Sequence, residues 1–173
     1  MKEKYYLAYG SNLSIAQMVQ RCPNAVYVGK ASIKDYQLLF KGSLSGNYLT
    51  IEEKKGSEVP VLVWKITEWD EERLDCYEGF PTFYYKKVMR VEVTSLLGDV
   101  GLGCVDAVIY IMHEERRLGC PSPHYYSVCE EGYSRFGFDV SFLENALKES
   151  VGKREAAKFL KEVEKYDAWI SRP

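Results

Sequence analysis

The chain has little of what metal sites and disulfide frameworks are built from. Its 173 residues include only two histidines, and its five cysteines are odd in number and contain no Cys-x-x-Cys pair. Such cysteines predict reduced thiols rather than a disulfide framework or a zinc knuckle. One set remains, His113, Cys120, His124 and Cys129, but its spacings match no short-range zinc pattern. We therefore expect no metal, and histidine-based catalytic systems have few ways to be assembled.

An excess of basic residues and a long apolar run are also absent. The chain has 23 Lys and Arg against 25 Asp and Glu, a net charge of −2 and a pI near 5.8. This charge balance argues against a nucleic-acid partner, because the phosphates of a nucleic acid call for a concentrated basic face. No run approaches the roughly 18 apolar residues of a membrane helix, and the first four residues carry no apolar signal segment. We expect no membrane partner and a cytoplasmic location.

What the sequence does contain is the composition of one globular domain, 46% hydrophobic and 28% charged. Strands follow one another in the middle of the chain and helices concentrate at its ends, which predicts an α+β fold with a largely antiparallel sheet, curled into a small barrel. We assign residues 1–150 to this domain and residues 151–173 to a C-terminal helix packed on it or on a partner. The predicted strands are residues 25–31, 36–41, 48–53, 60–66, 84–93 and 104–112, with a hairpin loop at 53–58 and the strand at 59–64 buried on both faces. The predicted helices are residues 14–21, 69–77, 122–136, 139–150 and 153–170.

The first stretch with chemical potential is residues 5–13, Tyr-Tyr-Leu-Ala-Tyr-Gly-Ser-Asn-Leu. It reads as a buried strand that ends in a tight turn at Gly10, followed by a helix that opens with a capping box, Ser14-x-x-Gln17. Backbone N–H groups of Gly10 to Leu13 would point outward and bind a carboxylate, a phosphate or an oxyanion. The turn matches neither the P-loop nor the dinucleotide-binding pattern, which argues against a nucleotide. An ordinary strand–turn–helix junction has the same local pattern, so this alternative stays open.

The second stretch is the end of the helix that Thr67 and Asp70 are expected to cap. Glu78 follows that helix between Tyr77 and Phe80, where partial burial would raise the pKa of its carboxyl toward neutrality and suit it to proton transfer. A solvated turn residue is the alternative. Asp75 is expected to face solvent at the helix end. We expect Trp69, Leu74 and Tyr77 to share one apolar side of this helix.

Both stretches, with a third, resemble the gamma-glutamylcyclotransferase family, including its AIG2-like members. The matching motifs are Tyr-Gly-Ser-Asn at residues 9–12, Leu-Asp-x-Tyr-Glu-Gly at 74–79 followed by Tyr-Tyr-Lys at 84–86, and Pro-Ser-Pro-His-Tyr at 121–125. The similarity extends in order over most of residues 5–138. It implies a small mixed barrel with flanking helices that converts a γ-glutamyl amide into 5-oxoproline and a free amine, without metal or cofactor.

By position, the resemblance makes Glu78 the catalytic acid and base. The substrate-binding residues that it implies are Tyr6, Leu7, Ala8, Tyr9, Gly10, Ser11, Asn12 and Tyr125. Tyr84 and Tyr85 are left undecided. The choice of leaving amine is expected to depend on the loops at residues 42–47, 96–103 and 114–121.

Two other functions remain open from the sequence. A non-catalytic module could use the same pocket to bind an amino-acid-like ligand. A structural or partner-binding protein is the other function, and it depends on the C-terminal helix, whose apolar stripe could pack on the domain or form a homodimer. The residues of that stripe are Ala156, Phe159, Leu160, Val163, Tyr166 and Ile170.

Overall fold

The structure is a computed structural model that describes residues 4–96 and 101–172. Within these ranges the chain forms six β-strands and five α-helices, with a short 3-10 helix at Ser11–Leu13. The strands are β1 (Lys4–Ala8), β2 (Val26–Ser43), β3 (Gly46–Ile66), β4 (Tyr84–Val93), β5 (Gly103–Met112) and β6 (Arg117–Leu118). The helices are α1 (Ile15–Arg21), α2 (Glu68–Glu78), α3 (Pro123–Arg135), α4 (Ser141–Val151) and α5 (Lys153–Ile170). No helix of the described ranges combines the length and apolarity needed to cross a membrane.

The described strands form one sheet in the order β4-β5-β1-β3-β2-β6. The β1 and β5 strands run parallel and the other neighbours run antiparallel. An isolated bridge between Lys30 and Thr94 joins β2 to the chain just after β4, so the sheet curls into a half-barrel. The predicted α+β class, with a mixed and largely antiparallel curled sheet, is confirmed.

The prediction of four short strands between residues 25 and 66 is wrong, because two long strands, β2 and β3, occupy this region. They pair from Val26 opposite Lys65 to Ser43 opposite Gly46, and the predicted hairpin loop at 53–58 lies inside β3. The irregularity that the sequence shows there is a shift of register beside Asp35, whose φ is 60° and whose carboxylate accepts the Gly56 N–H at 2.8 Å. The pairing passes from Lys34 opposite Glu58 to Tyr36 opposite Glu53, so β3 bulges over residues 54–57. The two strands continue on both sides of this bulge instead of ending at a hairpin.

The core lies between the curled sheet and the helices. The most buried part of β3 is the stretch from Val59 to Trp64. All six residues from Val59 to Trp64 are buried, which confirms the predicted burial of this strand on both faces. Nearly continuous apolar sequence is typical of a strand that is covered on both sides.

Local capping signals define where the helices begin. Thr67 and Asp70 form a complete capping box at the start of α2, and Ser122 caps α3 directly before Pro123. The predicted box of α1 is only half formed, since Ser14 accepts the Gln17 N–H at 3.4 Å whereas the Gln17 side-chain oxygen has no partner among the described residues.

Part of the apolar stripe on α5 packs within the same chain. Ala156, Phe159 and Val163 are buried, and the Phe159 ring meets the Tyr126 ring of α3 edge-on. A hydrogen bond of 2.7 Å from Ser127 to Asp167 also joins α3 to α5. This face of α5 therefore packs on α3.

Candidate active site

A cavity of about 330 Å³ opens where β1 ends, between the 3-10 helix, the last turn of α2, the tip of the β2–β3 hairpin and α3. Most of the predicted site residues meet in it. The ones that line it are Tyr6, Tyr9, Gly10, Ser11, Asn12, Glu78 and Tyr125. Leu7 and Ala8 do not line it, because their side chains are buried in the core.

Ion pairs hold α2 against the sheet and so fix the direction in which its last turn points. The Lys86 ammonium of β4 lies 2.9 Å from the carboxylates of both Glu71 and Asp75, and Lys4 of β1 lies 2.7 Å from Glu71. The Tyr110 hydroxyl of β5 donates to Asp75 at 2.6 Å. The prediction that Asp75 faces solvent is therefore wrong, since this carboxylate connects α2 to two strands.

The apolar side predicted for α2 is also wrong. Leu74 is fully buried, but Trp69 and Tyr77 are each about half exposed. Each ring instead has an arginine guanidinium over its face. The guanidinium of Arg73 lies 4.8 Å from the centre of the Trp69 ring. The guanidinium of Arg21 lies 3.6 Å from the centre of the Tyr77 ring. A guanidinium is attracted to the face of an aromatic ring, so these contacts stabilise the half-exposed rings without burying them.

Glu78 is the last residue of α2, and the chain turns away immediately after it. Gly79 takes a left-handed conformation with φ of 64°, which ends the helix as predicted. Burial in the cavity raises the pKa of Glu78 from 4.5 to about 7, although the charge of Arg21 and a hydrogen bond from Asn12 both lower it. At neutral pH the carboxyl is therefore divided between its two forms, which suits proton transfer in either direction.

The Asn12 side chain is the centre of the polar contacts in the cavity. Its amide nitrogen donates to the Tyr6 hydroxyl at 2.8 Å and to the Glu78 carboxylate at 3.0 Å. Its oxygen accepts from the Arg21 guanidinium. Asn12 is only 4% exposed, and its hydrogen bond to Glu78, which is partly buried, joins the N-terminal turn to the end of α2.

Hydrogen-bond donors without a partner point to an anionic ligand or a developing oxyanion. In the described part of the chain, the backbone N–H groups of Gly10, Ser11 and Asn12 have no acceptor, and neither has the hydroxyl proton of Tyr6. The expectation that Leu13 contributes a free N–H is wrong, because this group donates to the Gly10 carbonyl at 3.0 Å. Three amides and one hydroxyl remain available.

Tyr125 reaches the cavity because α3 packs unusually close to the 3-10 helix. A Cβ on Gly132 of α3 would lie 2.5 Å from the Cβ of Leu13, so only glycine allows this approach. The Tyr125 hydroxyl accepts the Leu49 N–H at 3.1 Å, and a Cβ on Gly10 would lie 3.1 Å from the same hydroxyl. Tyr125 and the N-terminal turn are therefore direct neighbours.

Of the other tyrosines considered from the sequence, Tyr9 and Tyr84 line the cavity and Tyr85 does not. The Tyr9 hydroxyl donates to the Tyr110 carbonyl at 2.6 Å, and Tyr84 lines the cavity while its hydroxyl donates to the Leu49 carbonyl at 2.9 Å. Tyr85 does not line the cavity and donates to Glu114 at 2.7 Å. Burial raises the pKa of four tyrosines that line the cavity well above the usual range, so their hydroxyls stay neutral. These four are Tyr6, Tyr9, Tyr84 and Tyr125.

Sequence reasoning missed several residues of the site. Tyr48 and Leu49 line the cavity from the start of β3, and Tyr110 reaches it from β5. Ser45 also lines it, and this residue belongs to the loop at 42–47 that was expected to contact the leaving amine. Of the three loops expected to contact the leaving amine, the described residues of 96–103 and 114–121 do not line the cavity; residues 97–100 lie outside the described ranges. Arg21 was missed because its partners are brought together only by the fold. The one signal in the sequence was that Arg21 is a basic residue in the last turn of the predicted first helix.

The two histidines of the set considered as metal ligands make other contacts. His113 lies 2.7 Å from the Pro81 carbonyl, and His124 lies 2.9 Å from the Tyr166 hydroxyl. Over residues 4–96 and 101–172, no group of three or more His, Cys, Asp or Glu side chains is arranged to hold a metal ion.

The chain is similar to known proteins. The family described as "Gamma-glutamyl cyclotransferase, AIG2-like" has a sequence model that matches residues 6–131. Mouse gamma-glutamylcyclotransferase is 30% identical over 146 residues, which cover 80% of this chain and 74% of the mouse protein. The bovine gamma-glutamylcyclotransferase is 36% identical over 96 residues, which cover 51% of this chain and 50% of the bovine protein.

Solved structures share the fold. A structure named gamma-glutamyl cyclotransferase superposes with a TM-score of 0.72 at 24% identity and covers 93% of this chain and 99% of its own. The crystal structure of an uncharacterized human protein superposes with a TM-score of 0.68 at 27% identity, covering 84% of this chain and 87% of the human chain.

Proposed function

Because the chain belongs to the gamma-glutamyl cyclotransferase, AIG2-like family, we propose that it releases 5-oxoproline and a free amine or amino acid from a γ-glutamyl substrate. The observation that carries the proposal is the hydrogen bond of 3.0 Å between Asn12 and Glu78. It puts a carboxyl whose pKa is about 7 next to a turn with free backbone donors. An acid–base group and an oxyanion site in one cavity are what an intramolecular acyl transfer requires.

The reaction needs orientation more than it needs a strong nucleophile. The α-amino group of a γ-glutamyl substrate can reach its own γ-carbonyl and close a five-membered ring. Holding such groups in the reacting geometry contributes roughly 7–11 kcal/mol in favourable systems. The buried floor of the cavity, which includes Tyr6, Tyr9 and Asn12, would hold the glutamyl part, and the more exposed Tyr48 and Tyr77 would face the leaving amine.

In the proposed mechanism, Glu78 takes a proton from the substrate ammonium and the free amine then attacks the γ-carbonyl carbon. The negative oxygen of the tetrahedral intermediate accepts from the N–H groups of Gly10 to Asn12, or from the Tyr6 hydroxyl. The old C–N bond breaks as Glu78 gives its proton to the departing nitrogen. The ring nitrogen then loses its second proton to Glu78, which passes it to the released amine. Glu78 is again a carboxylate at the end. The steps use no metal or cofactor, and they transfer an acyl group from one nitrogen to another.

The test is release of 5-oxoproline from a panel of γ-glutamyl amines, amino acids and peptides. We expect Glu78→Gln to lower kcat by roughly 100-fold to 10,000-fold, the usual contribution of a positioned acid or base. Glu131→Gln is the matched control, because that side chain is 66% exposed on α3. A Glu78→Gln variant that turns over at the wild-type rate would exclude Glu78. Ligand-induced thermal stabilisation without any product would favour a binding module instead.

A further inference from the structure

Arg21 does not line the cavity, yet it contacts both halves of the site. Its Nη1 donates to the side-chain oxygen of Asn12 and, at 3.3 Å, to the hydroxyl of Ser11. Its guanidinium also lies 3.6 Å from the centre of the Tyr77 ring, directly before Glu78 in the chain. One side chain at the end of α1 therefore links the N-terminal turn to the last turn of α2.

We propose that Arg21 is a positioning residue, which fixes the orientation of the Asn12 amide and thereby keeps the Glu78 carboxyl aimed into the cavity. The inference rests on the proposed function and adds to it a residue that acts through Asn12 without touching the substrate.

The chemistry of the two side chains gives the direction of the effect. A guanidinium has only donors, so the group that faces Arg21 has to be the amide oxygen of Asn12. The two ends of an Asn amide are alike in size, and with the oxygen engaged by Arg21 the NH₂ group is left to face Tyr6 and Glu78. If the Asn12 amide turned over, its oxygen would face the Glu78 carboxylate, and the hydrogen bond from Asn12 to Glu78 would be lost.

The position of Arg21 is itself held from α2. Arg73 donates to the Arg21 carbonyl and, at 3.0 Å, to the Gln20 carbonyl. These are carbonyls of the last turn of α1, which have no partner within the helix. The end of α1 is therefore attached to α2, so that Arg21 has a fixed starting point for its contacts.

The groups around Glu78 define what loss of Arg21 should change. Asn12 faces Glu78 from the 3-10 helix and Arg21 contributes from α1, while the tyrosines nearby stay neutral because burial raises their pKa. These tyrosines are Tyr6 of β1, Tyr9, which follows β1, and Tyr84 of β4. Both Arg21 and Asn12 lower the pKa of Glu78, so removal of Arg21 is expected to raise it.

The test combines titration with a double-mutant cycle. We expect the side-chain carboxyl ¹³C resonance of Glu78 to titrate at higher pH in Arg21→Met than in wild type. Arg90→Met removes the same charge from an exposed site and should leave the titration unchanged. Arg21→Lys keeps the charge without the planar stack, so its Glu78 titration should lie between those of wild type and Arg21→Met. This variant replaces Arg21→Met in the test if Arg21→Met does not fold.

The cycle then asks whether Arg21 acts through Asn12. Arg21→Met is expected to lower kcat by about tenfold in the wild-type background and by less than about threefold in an Asn12→Ala background. Equal effects in both backgrounds, or a Glu78 titration that matches Arg90→Met, would overturn the inference. If wild type released no 5-oxoproline, the proposed function would fail, whereas the titration would still decide the role of Arg21.

Discussion

Replacing Glu78 by Gln is expected to stabilise the fold while it removes activity, and the gain should depend on pH. The folded protein holds the Glu78 proton more tightly than the unfolded chain does, because burial raises the pKa from 4.5 to about 7. Between these two values the folded state keeps a proton that the unfolded state has released. The free energy of unfolding therefore falls as pH rises through this window.

The size of the effect follows from the same two pKa values. One pKa unit corresponds to about 1.4 kcal/mol, so wild type should lose about 3 kcal/mol of stability between pH 4.5 and 7 through this carboxyl. A neutral amide at the same position has no such cost, and it can still accept the hydrogen bond from Asn12. Glu78→Gln should therefore match wild type near pH 4 and exceed it by up to about 3 kcal/mol at pH 8.

The assay is urea unfolding of both proteins at pH 4, 6 and 8, with Glu131→Gln as the control for an exposed carboxylate. The difference between Glu78→Gln and wild type should grow with pH, and the control should show no such growth. A difference that is the same at all three pH values would refute the reasoning, because the Glu78 pKa would then be alike in the folded and unfolded states.

Three further outcomes are expected. The kcat/KM of wild type should fall about tenfold for each pH unit below 7, because only the ionised form of Glu78 accepts the substrate proton. The pKa of this carboxyl is raised to about 7. A profile that is flat down to pH 5 would contradict this expectation. Gly132→Ala should cost about 1–3 kcal/mol in urea unfolding, because its Cβ would lie 2.5 Å from that of Leu13, whereas Ser134→Ala, exposed on the same helix, should cost little. Thr67→Ala should lower the free energy of unfolding by about 1 kcal/mol through loss of the α2 cap, and unchanged stability would show that the box contributes nothing.

The sequence predicted best those features that depend on neighbours along the chain. Thr67 and Ser122 cap their helices as expected, because a cap is satisfied within three residues. The strand boundaries between residues 25 and 66 were not predictable in the same way. Where the β2–β3 ribbon is exposed, its stability depends on cross-strand hydrogen bonds, and charged residues such as Glu53 and Glu58 are tolerated there.

The site was predictable only where a motif and a resemblance pointed to it. Glu78 and the turn from Gly10 to Asn12 were found this way, and the structure brings them into one cavity. Arg21 and Tyr110 were not found, because each acts on residues that lie far away in sequence or on another element. Asp75 was misjudged for the same reason, since its partners Lys86 and Tyr110 come from two other strands.

The long pairing of β2 with β3 separates two demands on the same pair of strands. From Val59 to Trp64, β3 is buried in the core, whereas the turn beyond Ser43 extends to the rim of the cavity. Under the proposed function, a longer or different turn could accept a different leaving amine without disturbing the register of the sheet. Under the proposed function, a change of substrate would then be expected first at residues 44–45, which lie between the two strands, before it alters either strand.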